Sequence, residues 1–122
     1  MTRFLLICLG GAIGTGARYL TALWAASALG LRFPYGTLIV NLAGSFLLGL
    51  VMEISAPGDL RLAMTSGVLG GFTTYSSFNY ETTRSFRNGA WLLGSVNVAV
   101  TLLGCAAAGV AGILVGRLLK AP

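Results

Sequence analysis

Residues Gly67–Phe86 read GVLGGFTTYSSFNYETTRSF, and the segment that follows, Trp91–Leu119, reads WLLGSVNVAVTLLGCAAAGVAGILVGRLL. The second stretch is a membrane helix by composition; the first is a polar, glycine-paired stretch set among such helices. In lipid every backbone N–H and C=O must find a partner within the protein, so such a stretch needs a structural reason. Gly70, Gly71 and the β-branched pair Thr73–Thr74 predict an interruption near residues 70–75. Unwound backbone at bilayer depth is tolerated only where it is buried in protein or lines a cavity, which makes the interruption a candidate site. Freed carbonyls there can hold a cation, while freed N–H groups and the hydroxyls of Ser76 and Ser77 can face an anion. If helix resumes after the break, Tyr75 and Phe78 lie on one face, and their ring edges can contact an anion without a full positive charge.

Composition sets the class. The 122 residues are 56% hydrophobic and 9% charged, with 18 glycines spread through the apolar runs, and the mean hydropathy is +0.85. These values identify an all-α membrane protein of one domain, with room for about four crossings of roughly 20 residues each. The spans run over residues 4–29, 35–54, 60–86 and 90–119, the third broken at mid-membrane, with turns at 32–36, 56–59 and 84–89. The apolar run after Arg3 continues past Gly10 with no clear small-residue cleavage site, so it reads as the first span and not as a signal peptide. So small a bundle buries little surface alone, and an oligomer is expected.

The charges speak to topology. Four spans place Arg3, Arg61, Arg117 and Lys120 on one side and Arg32, Arg84 and Arg87 on the other, four against three. Lys/Arg asymmetry chooses orientation, and here it is nearly absent, so the chain is open to insertion either way up and to pairing with its inverted copy. Basic residues scattered at span ends read as headgroup anchors to membrane lipid; nucleic-acid binding is not indicated. Histidine is absent and there are two cysteines, Cys8 and Cys105, both in apolar runs and read as small buried packing residues. Without His or a nucleophile–base pair the chain offers nothing for acid–base catalysis, and an enzyme is excluded. Gly10 and Gly14, and Gly112 and Gly116, make GxxxG steps for close helix contact.

Other polar residues sit within the spans. Arg18 places a guanidinium near an aqueous mouth. Asn41, flanked by apolar residues, needs a partner inside the bundle or lines a pore, and Asn97, Thr101 and Cys105 recur every four residues on one face of the fourth span. That stripe is either inter-helix glue or a track for a small polar solute.

The string GGFTTYSSFNYET resembles the GGxTTFSTFxxE signature of the Fluc (CrcB) fluoride channels, and GGAIGTGARY and YGTLIVNLAGSF resemble that family's first and second spans. The resemblance covers nearly the whole chain. It implies an antiparallel, dual-topology homodimer with two pores, passive export of fluoride across the bacterial inner membrane, exclusion of chloride, and no organic cofactor. It assigns Tyr75 and Phe78 to the aromatic positions along the pore and Asn41 to the pore-lining asparagine. Gly70 and Thr73 match the carbonyls that hold a structural sodium ion. Glu81 matches the acidic residue after the break, Arg18 the first-span arginine, Thr74 and Ser76 the signature hydroxyls, and Asn97, Thr101 and Cys105 the fourth-span track. Tyr75 stands where the family usually carries Phe. The alternative is a proton-coupled exporter of the small multidrug-resistance type, which relies on an early membrane carboxylate; here the first span carries Arg18 and no acid.

Overall fold

The computed structural model describes residues 1–121. They form α1 (Thr2–Leu29), α2 (Tyr35–Ile54), α3 (Asp59–Leu62), a π-helical segment (Ala63–Leu69), α4 (Gly70–Phe72), α5 (Tyr75–Arg87) and α6 (Trp91–Lys120). Helical backbone is continuous over residues 59–72, and two extended residues, Thr73 (φ −79°, ψ 156°) and Thr74 (φ −152°, ψ 109°), precede α5. Three helices, α1, α2 and α6, are long and apolar enough to cross a membrane. At 1.5 Å per residue the 28-residue α1 and 30-residue α6 measure roughly 42 and 45 Å. That exceeds the ~30 Å hydrocarbon layer, so their ends reach the headgroups or the helices tilt.

The side chains are arranged for lipid. Large apolar residues such as Leu5, Leu9, Ile13, Leu103 and Leu118 face outward, whereas Thr74, Thr82, Asn97 and Thr101 are buried beside Ala25, Val40, Val51, Leu69 and Phe78. Water as solvent would invert that arrangement. The chain is an integral membrane protein.

Glycine brings the helices together along two seams. α2 packs against α6 and α1 packs against the π-helical segment and α4. A Cβ at Gly112 would strike the Phe46 carbonyl, and one at Gly14 the Val68 carbonyl, so backbone meets backbone at both seams. Gly71 approaches the Gly11 carbonyl in the same way. Gly71 therefore serves contact with α1 while Gly70 borders open space, and the pair does not itself unwind the chain: Gly70 is helical at φ −62°, ψ −37°. Positive φ occurs only at Gly30 and Gly89 among the described residues.

The threonines end the helix. Thr73 donates from both its N–H and its hydroxyl to the Leu69 carbonyl, each at 3.0 Å. Thr74 then starts α5 as its N-cap, its Oγ1 accepting from the Ser77 N–H at 3.2 Å. Ion pairs Arg3–Asp59 (2.5 Å) and Arg117–Glu53 (3.7 Å) gather the N-terminus, the 55–58 turn and the end of α6 at one end of the bundle. The cysteines are not core residues. Cys8 is exposed and Cys105 half-exposed, because the glycine seams fill the positions where a small buried residue would pack.

Candidate functional site

The two extended residues leave backbone groups that a continuing helix would have paired. Thr74 N–H, which would have bonded the Gly70 carbonyl, donates instead to Asn41 Oδ1 at 2.8 Å, and the Thr74 carbonyl accepts from Asn41 Nδ2 at 3.0 Å. Asn41 on α2 thus acts as a substitute peptide for the interrupted helix. Leaving those groups unpaired in lipid would cost several kcal/mol each. Gly44, one turn further along α2, makes room for this approach: a Cβ there would collide with the Thr73 methyl.

Beside this junction lies a cavity of about 340 Å³, open on one side, to which Asn41, Gly70, Thr73, Tyr75, Phe78, Thr101 and Cys105 all contribute. Most of the residues selected from sequence therefore meet at one place. The Tyr75 and Phe78 rings sit with centroids 5.6 Å apart, inclined at 59°. Phe78 is 5% exposed and fixed among its neighbours, while Tyr75 is 72% exposed and stands at the open side. A ring so placed presents its edge and its hydroxyl to whatever occupies the opening.

Five residues fall elsewhere. Arg18 and Glu81 line a separate cavity of about 400 Å³ with Thr37, Thr74 and Ser77. There Glu81 Oε1 accepts from the Thr37 hydroxyl at 2.7 Å, and its Oε2 is buried without a partner. Ser76 touches the hydroxyl of Thr74 at 3.3 Å on the exposed side of α5. The Thr74 hydroxyl donates to Ser77 Oγ at 3.0 Å while capping α5, so it is occupied within its own turn. Asn97 is buried, donating to Thr82 Oγ1 at 2.9 Å and accepting from Thr101 at 3.3 Å. The stripe on α6 accordingly divides: Asn97 fastens α6 to α5, and Thr101 and Cys105 reach the cavity.

Thr37, Ser45 and Thr65 line these cavities and escaped the sequence reading, which singled out Asn41 alone on α2. Thr37, Asn41 and Ser45 recur every four residues along α2, and Ser45 lines the larger opening together with Thr65. That i, i+4 polar recurrence was the available signal. It was obscured because the run reads first as the flank of a single conspicuous asparagine.

The two carbonyls differ. That of Gly70 has lost its helical donor to Asn41 and is open to a cation, whereas that of Thr73 already accepts from Arg18 Nη1 at 3.4 Å. Unwound carbonyls of this kind coordinate sodium in membrane transporters. Among the described residues no cluster of His, Cys, Asp or Glu could hold a metal.

The model of the CrcB-like protein family, Camphor Resistance (CrcB), matches residues 5–113. A fluoride-specific ion channel FluC of Anaeromyxobacter dehalogenans is 52% identical, over 96% of this chain and 97% of that protein. Proteins of the same name from Sorangium cellulosum (51%, 99% of each chain) and Geobacter metallireducens (45%, 96% of this chain and 98% of the other) are similar over equal lengths. With a match across almost its full length and relatives at this identity, the chain belongs to the CrcB family.

Proposed function

We propose that this chain is a fluoride-selective ion channel that lets fluoride leave the cell passively through the bacterial inner membrane. The observation that carries this reading is the convergence of an amide, two aromatic rings and the Thr101 and Cys105 side chains on one cavity at an interrupted helix. The relatives named for fluoride conduction give the ion its identity. Fluoride is small, strongly hydrated and a strong hydrogen-bond acceptor. A narrow file of N–H and O–H donors replaces its water, whereas chloride is too large and too weak an acceptor for the same donors. Phe78 and Tyr75 edges continue the contact where no hydroxyl or amide reaches, weakly enough for the ion to leave.

Residues 59–87 form the third crossing in this reading, with Thr73 and Thr74 at bilayer depth. The working unit is an antiparallel homodimer of dual topology with two pores, set in lipid. The cavity lies open on one side of the single chain, and the near balance of Arg and Lys between the two ends supports insertion in both directions. The Gly70 and Thr73 carbonyls would hold a structural sodium ion. When bound, it supplies fixed positive charge that keeps the two subunits' unwound segments together. Arg18 and Glu81 with its partner Thr37 belong to the approach to the pore, and Asn97 holds the track residue Thr101 in place. No catalysis is involved. The test is fluoride-electrode efflux from liposomes holding the purified protein, with chloride as control: fluoride is expected to leave rapidly and chloride to stay. Equal release of both ions, or of neither, would refute the proposal.

A further inference from the structure

The two ends of the bundle treat their charges differently. Where the N-terminus meets the end of α6, Arg3 pairs with Asp59 and Arg117 with Glu53. At the opposite end, Arg32 in the turn after α1 and Arg84 on α5 form no ion pair among the described residues. Both line a cavity of about 580 Å³ together with the polar side chains of Ser85 and Asn88. The acid in that lining, Glu81, accepts from the Thr37 hydroxyl at 2.7 Å and pairs with neither arginine, although Arg84 follows it by three residues on the same helix. Two unpaired guanidinium groups favour an anion with several oxygens, since their forked N–H donors match phosphate geometry. A second feature narrows the anion to one kind. A groove of about 530 Å³ adjoins the cavity at Ala90 and Leu93, which line both. Its other side chains are apolar: Trp91, Leu92 and Val96, on the first turns of α6. Residues 89–96 extend roughly 10 Å along the helix. Trp91 is 67% exposed, yet its ring rests on Phe86 with centroids 5.3 Å apart, and Phe86 lies over Gly94, where a Cβ would strike the ring. The groove therefore has a fixed aromatic wall, and tryptophan at a helix start belongs at headgroup level.

We propose that the cavity and the groove together bind one anionic phospholipid, its phosphate diester at Arg32 and Arg84 and its upper acyl chain along Trp91, Leu92 and Val96. A free phosphate or halide would use the cavity and leave the groove empty; a phospholipid fills both. Basic pockets between helices at the membrane surface recognise lipid headgroups through the same chemistry. Two arginines favour a lipid with net negative charge over a zwitterionic one, whose own ammonium they would repel. The site goes beyond the channel reading and does not depend on which ion the protein conducts.

The test uses the full-length protein and its two tryptophans, Trp24 on α1 and Trp91 in the groove. Trp24→Phe leaves Trp91 as the sole indole, and Trp91→Phe leaves Trp24 as a control outside the site. Each variant is reconstituted into phosphatidylethanolamine vesicles carrying a minor fraction of either phosphatidylglycerol or phosphatidylcholine, brominated on the upper acyl chain, and quenching of tryptophan fluorescence is measured. Phosphatidylglycerol is expected to bind beside Trp91 roughly tenfold more tightly than phosphatidylcholine. The two lipids should quench Trp24 alike. Adding Arg32→Ala and Arg84→Ala to the Trp91 protein should erase the preference with the gel-filtration profile unchanged, and inorganic phosphate should leave the preference intact. Equal quenching of Trp91 by the two lipids, or the same preference at Trp24, would overturn the proposal. So would loss of the preference on adding inorganic phosphate but not chloride of equal ionic strength, which would make the ligand a free anion. A double variant that elutes normally and keeps the preference overturns it as well. Should the double variant not fold, the comparison of the two lipids at Trp91 and Trp24 decides alone, since it leaves both arginines in place.

Discussion

The glycine seams and the open cavity draw on neighbouring helices, yet they solve opposite problems. At the seams, Gly14 lies against the Val68 carbonyl and Gly112 against the Phe46 carbonyl, backbone to backbone with no side chain between. At the cavity, polar side chains do what backbone does elsewhere: the Asn41 amide stands in for a peptide, and the Thr74 hydroxyl caps a helix. A seam is finished within the subunit. The cavity is lined from α2, the π-helical segment, α5 and α6 and is open on one side, with the exposed Tyr75 ring among its lining. The difference teaches that this small bundle obtains rigidity from its smallest residues, which leaves its polar ones for the ion.

That division can be broken at either region. The largest effect is expected at a seam. Gly14→Val sets a branched side chain against a carbonyl that cannot yield, and overpacking of this kind costs about 3 kcal/mol. It should appear as loss of the folded species on gel filtration, with efflux falling only in proportion to the protein lost. A normal elution profile would mean that the seam is looser than the geometry says. Next is Asn41→Asp, which replaces the donor by a carboxylate oxygen facing both the Thr74 carbonyl and the anion. Fluoride efflux should fall roughly 100-fold, or about 2.7 kcal/mol of barrier, with the elution profile unchanged. Wild-type flux in that variant would remove Asn41 from the ion's path.

Smaller effects sharpen the comparison within the cavity. Phe78→Ile keeps an apolar filling but removes the ring edge; conduction should drop about tenfold, equal to ~1.4 kcal/mol, while the oligomer survives detergent. Unfolding of that variant would show Phe78 to be a packing residue first. The smallest change is Thr74→Ala, which deletes the cap of α5 but leaves the peptide that grips Asn41. It should lower stability by about 1 kcal/mol, measured as a shift in the thermal midpoint, with fluoride still preferred over chloride. Loss of that preference would place the hydroxyl in the path and contradict its engagement with Ser77.

Much of this was legible in the sequence, for reasons that also explain what was not. The class follows from composition, and the polar segment stands out because lipid penalises it. Lipid also erases the usual guide to orientation, since a helix that is apolar all round shows no periodicity to tell its inner face from its outer. Hence Cys8 reads as buried and is exposed, and the Thr37–Asn41–Ser45 line passes unnoticed. Partners distant along the chain are equally hidden: nothing local to Asn41 names a peptide 33 residues away. Gly70–Gly71 invites the reading of an unwound backbone because glycine permits it, but permission is not use. The pair stays helical, Gly71 is shaped by contact with α1, and the turn falls to the threonines that can cap both sides of it.

The π-helical segment at Ala63–Leu69 has a consequence for how the gene can change. Wider turns hold one residue more than ordinary ones, so dropping a single codon there would let the backbone tighten into an α-helix instead of tearing it. Because the wider turns already absorb the extra residue, the residues beyond would keep nearly their present faces. Gly71 would stay in its notch against Gly11, and the threonines would keep their neighbours. A deletion of that size is one that descendants of this chain could take at Ala63–Leu69 without re-aiming the pore, whereas the same loss in α1 or α6 would turn everything after it.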